Sequence, residues 1–240
     1  MLQFSVLGHS ALGNPIQGFH FGASQKHRVL ILAGVHGDEV EGVSLALKLI
    51  ESFMLGALPD GLNALVIPQL NIDGVLQKTR GNGNGVDLNR NLPTRDWTIH
   101  WTNPRYQPGP HANSEPENQL LVKLIDDFKP RFIFSLHSWK PMLNVNEIEG
   151  SSLCRMVAEA ISSHTGAPVE PTIGYSTPGC LGTYAGYERS IPTLTYEIER
   201  GMDLSEVIRQ HLPATLQGLE LLAKELNSEE VIQTNASNPN

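Results

Sequence analysis

Four short apolar runs, Arg28–Ala33, Asn63–Pro68, Arg131–His137 and Pro192–Ile198, limit the folds open to this chain more than any other feature. Their near-continuous hydrophobicity suits strands buried on both faces, the pattern of parallel sheets covered by helices. Between and after them, the segments 40–53, 114–128, 151–165 and 204–226 place apolar residues at helical spacing. Strands that alternate with helices predict an α/β layer fold with one core, and no internal repeat is visible.

The remaining segments fill in around that rhythm. Gln3–Leu7 and Ile16–Phe21 alternate on either side of Gly13-Asn14-Pro15 and read as an edge hairpin. Residues 71–113 are rich in Asn, Gly, Pro, Arg and Trp, show no sustained period, and form a candidate substrate wall. Ser114-Glu-Pro-Glu117 offers a capping serine, a first-turn proline and two acids ahead of the helix to Phe128, which Lys129-Pro130 ends. A Gly/Pro-rich loop is expected over 174–182 and a short helix over 183–189, with Pro213 a break point in the closing helix. From Asn227 onward the chain reads as a frayed polar tail, which makes residues 1–227 one catalytic domain and 228–240 an appendage.

A formal charge of −8 argues against nucleic acid or an anionic membrane surface as the main partner. Recognition of an anionic substrate must then come from a few placed arginines. No apolar run reaches the roughly 18 residues of a membrane span. Met1–Ser10 lacks the basic and apolar regions of a secretory signal, so a cytoplasmic location is expected. Cys154 and Cys180 are expected as free thiols, which agrees with that compartment.

Gly34-Val35-His36-Gly37-Asp38-Glu39 falls between a buried strand and a helix, on the edge where open α/β sheets bind ligands. An imidazole and a carboxylate three residues apart there form half of a zinc site, and catalytic zinc takes about three protein ligands. His137 ends another strand and supplies the third after a long spacer. On the last strand Glu197 and Glu199 share a face. Either is suited to take a proton from attacking water and pass it to a leaving amine, and spacing does not separate them. Within the long loop, Asn89-Arg90 suits a carboxylate and Arg80 an oxyanion. The plain alternatives are solvated surface charges and simple turn chemistry.

Taken in order, His36-Gly-Asp-Glu39, Arg80, Asp87-Leu-Asn-Arg-Asn91, Leu136-His-Ser138 and Thr195-Tyr-Glu197 resemble the zinc carboxypeptidases of the carboxypeptidase A type over residues 28–200. The resemblance implies a three-layer α/β sandwich with a mixed, mostly parallel sheet, and one Zn²⁺ held by His36, Glu39 and His137. It implies Glu197 as general base and acid, Arg80 as carbonyl and oxyanion clamp, and Asn89 with Arg90 as the clamp for a terminal carboxylate. Tyr175 looks like the family's mobile substrate-binding tyrosine. In an ungapped reading Gly182 falls near the floor of the side-chain pocket, where it leaves room for a long polar group.

Within that family, Gly85-Val-Asp-Leu-Asn-Arg-Asn91, Ser114-Glu-Pro-Glu117 and Gly174-Tyr-Ser-Thr-Pro-Gly179 look most like the bacterial γ-D-glutamyl-meso-diaminopimelate amidases. The substrate implied is a small muropeptide with a free terminal carboxylate, cut during cell-wall recycling. Two departures stand out: Asp38 replaces a substrate-binding arginine of pancreatic-type members, and Leu136-His-Ser-Trp139 is closer to the general family. Three other readings remain: an α-peptide carboxypeptidase, a silent muropeptide binder, and an N-acyl amino acid deacylase of the succinylglutamate desuccinylase and aspartoacylase type. The deacylases carry an extra C-terminal β-domain, whereas the residues after Glu197 read as helix and tail. A silent binder would be expected to lack a ligand or the base, and none is missing. Nothing in the sequence speaks to oligomeric state.

Overall fold

Eight strands pair in the order β1-β2-β4-β3-β5-β8-β6-β7. They are β1 (Gln3–His9), β2 (Pro15–Phe21), β3 (His27–Leu32), β4 (Leu62–Ile67), β5 (Phe132–Trp139), β6 (Met142–Asn146), β7 (Val169–Glu170) and β8 (Thr193–Glu199). The computed structural model describes residues 3–22 and 27–237, with side chains as far as Ser228. At the centre β4, β3, β5 and β8 run parallel, and β6–β7 is also a parallel pair. The β1–β2, β2–β4 and β6–β8 pairings are antiparallel, so the sheet is mixed and mostly parallel.

Helices α1 (Val40–Met54), α4 (Leu153–Thr165) and α5 (Leu204–Ser237) cover one face. There Phe132, Phe134, Leu194, Tyr196 and Ile198 meet Leu45, Leu49, Val157 and Leu219. On the opposite face lie α3 (Pro116–Phe128) and a π-type turn at Gly182–Tyr187. Leu30, Leu32 and Ile133 pack there against Leu121, Ile125 and Tyr184. Alternate residues of each central strand thus feed two apolar layers, the three-layer sandwich that the family resemblance implies.

Several elements differ from expectation. The long loop is not structureless: it holds α2 (Ile72–Gln77) and two 3-10 turns, Leu88–Arg90 and Pro104–Tyr106. Strands β6 and β7 were not anticipated. Glu115 rather than Ser114 caps α3, because the Ser114 hydroxyl donates to Glu115 Oε1 at 2.6 Å and accepts from Asn91 Nδ2. Pro213 does not break α5. A helical proline removes one donor, but Val207, Ala214, Leu219 and Leu222 around it are buried in the apolar layer shared with α1 and α4. Nor does the chain fray at Asn227, whose side chain lies 3.1 Å from His27 Nε2 while α5 runs on to Ser237. Glu229, Glu230, Gln233 and Ala236 in that stretch favour helix. Among the described residues no helix is long and apolar enough to cross a membrane.

Candidate active site

Adjacent parallel strands deliver their carboxyl ends to one edge, and β3 lies beside β5. His36 and Glu39 stand in the turn that leaves β3, and His137 stands near the end of β5. The turn is tight: a side chain at Gly37 would overlap the backbone of Gly74, so glycine lets α2 close over it. His36 Nδ1 is 2.9 Å from Glu39 Oε1, His137 Nδ1 is 2.9 Å from Glu39 Oε2, and the two Nδ1 atoms are 3.2 Å apart. All three side chains are buried, and one ligand atom from each lies within 4.8 Å of the others. Two imidazoles and a carboxylate converging in a buried site are the donor set of catalytic zinc, and the arrangement fits that ion.

The far side of each ring is also held. Asp87 Oδ1 bonds His36 Nε2 at 3.0 Å, and Ser135 Oγ lies 2.9 Å from His137 Nε2. Partners of this kind fix ring orientation and leave Nδ1 for the ion. Asp87 Oδ2 also accepts from Arg80 Nε at 2.9 Å, while Arg80 Nη1 reaches Glu39 Oε1 at 3.3 Å. Burial disfavours the charge on Asp87, but His36 and the Arg80 guanidinium hold its carboxyl well below the usual range. For Glu39 too burial is outweighed, here by His36 and His137, and its carboxyl is depressed. Asp87 was legible as part of a motif, but its work behind His36 was not, and neither was that of Ser135.

Register decides between the two acids of β8. Glu197 pairs with His137 across the β5–β8 ladder, whereas Glu199 pairs with Trp139 and is exposed. Glu197 Oε2 is buried without a hydrogen-bond partner. Burial pushes its carboxyl up to about 7, with Glu39 adding to the effect and His137 and Arg80 opposing it. A carboxyl poised there is suited to accept and return a proton near neutrality.

A cleft of about 440 Å³ opens over these groups, and Arg80, Asn89, Arg90, Tyr175 and Gly182 all line it. Asn89 Oδ1 accepts from the Leu181 N–H at 2.8 Å, which commits its amide oxygen and leaves the NH₂ group to the cleft. Arg90 is buried, and its guanidinium and that of Arg80 lie 5.1 and 5.2 Å from the Tyr106 ring centroid. Tyr175 is partly exposed and joins Tyr106 to Trp139 in an aromatic wall, at 6.4 and 5.9 Å between ring centroids. Sequence reasoning missed Tyr106, which no periodic pattern marks, and Trp139, which follows His137 at strand period on β5. It also missed Asn144 and Asn146, although Leu143 and Val145 alternate with them at strand period. The space beside Gly182 is not open, because a Cβ there would collide with the Asn146 amide. Glycine at this position instead admits Asn146 to the cleft wall.

Residues 1–198 match the zinc carboxypeptidase family. Murein peptide amidase A of Vibrio campbellii is 33% identical over 230 residues, 86% of this chain and 87% of the relative. The Escherichia coli K12 protein of the same name is 33% identical over 191 residues, 74% of each chain. Murein-tripeptide amidase MpaA from Escherichia coli O157 superposes with a TM-score of 0.75 at 28% identity, covering 90% of this chain and 91% of that one. Bovine thrombin-activatable fibrinolysis inhibitor reaches 0.77 at 18% identity over 95% of this chain and 91% of that one, a likeness of fold alone. The chain belongs to the zinc carboxypeptidase family. It is a metallopeptidase-type hydrolase whose cofactor is one zinc ion.

Proposed function

We propose that this protein hydrolyses the γ-D-glutamyl-meso-diaminopimelate amide of murein peptides, in the cytoplasm and as a step of cell-wall peptide recycling. The observation that carries the chemistry is Glu197, whose Oε2 is buried without a hydrogen-bond partner, in one cleft with His36, Glu39 and Arg90. The substrate rests on similarity to murein peptide amidase A across most of both chains.

In this reading His36, Glu39 and His137 hold the ion, which when bound supplies Lewis acidity to a water molecule and to the scissile carbonyl. Arg90 and the Asn89 NH₂ group grip the terminal carboxylate of the diaminopimelate residue, fixing the scissile bond over the cluster. Glu197 takes a proton from the attacking water as its oxygen bonds to the carbonyl carbon. Arg80 donates to the carbonyl oxygen as negative charge develops there, and removing one such donor costs about 10²- to 10³-fold in turnover. Glu197 then returns the proton to the amide nitrogen, the C–N bond breaks, and free diaminopimelate leaves. Tyr175 closes the cleft over the leaving residue.

Zinc-loaded protein should release diaminopimelate from L-Ala-γ-D-Glu-meso-diaminopimelate, and a chelator should stop it. An ordinary α-linked peptide and an N-acyl amino acid run beside it complete the test. Cleavage of either control in place of the muropeptide would reject the proposed substrate.

A further inference from the structure

The turn that carries His36 and Glu39 also carries Asp38, on which two arginines converge from distant elements. Arg200, at the end of β8, places Nη2 2.7 Å from Asp38 Oδ2 and 3.0 Å from the Asp38 carbonyl oxygen. Arg105, on the 3-10 turn at Pro104–Tyr106, places Nη2 3.1 Å from the same Oδ2. The Asn103 side chain accepts the Arg105 N–H at 3.0 Å and fixes that turn. Asp38 is only 15% exposed, whereas the two arginine side chains are 42% and 38% exposed. Both line the cleft with Glu197. One carboxylate shared by two guanidiniums leaves a net positive charge, and a guanidinium has five donors, few of which are used here.

These arginines are distinct from the pair already assigned. Asn89 and Arg90 are anchored beside Leu181 and Tyr106, whereas Arg105 and Arg200 meet over Asp38, next to Glu39. With the leaving residue's carboxylate on Arg90 and the carbonyl oxygen on Arg80, the Arg105–Arg200 pair is the cationic locus of the cleft left to the acyl portion of the substrate. A γ-linked glutamyl residue carries an anion on that side. Three carbons separate its free α-carboxylate from the scissile carbonyl, and an acyl residue with a neutral side chain has no such charge. The whole-molecule charge is −8, so attraction for this anion must be local.

We propose that Arg105 and Arg200, bridged by Asp38, bind the α-carboxylate of the γ-D-glutamyl residue and select acyl residues that carry this anion over neutral ones. The inference rests on the amidase reading and names what that site recognises on the acyl side. Asp38 acts as a positioning residue that holds the two guanidiniums at one spacing.

The test compares two substrates on the zinc-loaded protein, L-Ala-γ-D-Glu-meso-diaminopimelate and its counterpart with that α-carboxylate amidated to D-isoglutamine. The wild type should lose about 10- to 100-fold in kcat/KM on the amidated peptide, the scale of a charge-assisted hydrogen bond. Arg105→Ala and Arg200→Ala, with zinc content checked, should lose a similar factor on the acid, change little on the amide, and bring the two rates together. Equal wild-type rates on both peptides overturn the inference and leave the amidase reading intact. Equal losses by the variants on both substrates also overturn it, since a latch that merely ties three segments together would act that way. Cleavage of neither γ-linked peptide rejects the amidase reading and the inference with it.

Discussion

The strand-end cluster and the loop wall above it are built by different rules. His36, Glu39, His137 and Asp87 are buried, and each is tied to another member by a bond of 2.9–3.0 Å. Tyr106, Tyr175, Arg105 and Arg200 sit on turns, loops and a strand end, partly exposed, touching through ring packing and shared charge. Rigid strand ends suit the reaction, where an error of an ångström is costly. Loops suit choice of substrate, where the wall can change without disturbing the sheet.

If the two regions divide labour in this way, substitutions in each should fail differently. His137→Ala should have the largest effect, with zinc stoichiometry and turnover both falling to background and the melting temperature no longer rising with added zinc. Metal analysis and a thermal scan check this. Glu197→Gln should keep zinc and lose about 10²- to 10⁴-fold in kcat. Zinc binding with near-normal turnover would remove Glu197 from its role. Wild-type activity should fall as pH drops through the Glu197 pKa, because the base must be ionised. The midpoint is expected between the ordinary 4.5 and about 7, since the bound cation pulls down the value set by burial. The acid limb should vanish in the Gln variant.

Ser135→Ala should weaken zinc by about 10- to 100-fold with kcat of the loaded protein little changed, read by competition with a chelating dye. Arg90→Ala belongs to the wall. It should cost about 10- to 100-fold in kcat/KM on substrates with a free terminal carboxylate, and far less on their amidated analogues. Equal losses on both would reject the clamp. Tyr175→Phe should be smallest, a few-fold in KM with kcat nearly intact. A large fall in its kcat would place Tyr175 with the reacting groups and erase the division.

The strand-end region was the more legible in sequence for the same physical reason that it is rigid. Parallel strands bring their carboxyl ends together whatever the intervening chain does, so His36, Glu39 and His137 can be matched from spacing and strand ends alone. The choice of Glu197 over Glu199 needs register, which period-2 alternation leaves open and only the pairing with His137 decides. In the wall, Arg105 and Tyr106 carry no periodic signal. The positions of such loop residues follow from tertiary contacts such as the Arg–Tyr106 packing and the Asp38 bridge. Asp38 was noticed only as a departure, and its two partners lie 67 and 162 residues away in the chain.

The pairing of His137 with Glu197 also bears on how the molecule acquires activity. Two strands separated by some sixty residues must close their ladder before base and metal site stand side by side, and such long-range parallel pairing forms slowly. The metal site depends on a second closure of the same kind, because His36 and His137 stand 101 residues apart on the paired β3 and β5 side of the sheet. Activity is therefore expected only once both long-range ladders have formed. Refolding followed by two probes, metal uptake and hydrolysis, should show hydrolysis appearing no earlier than uptake.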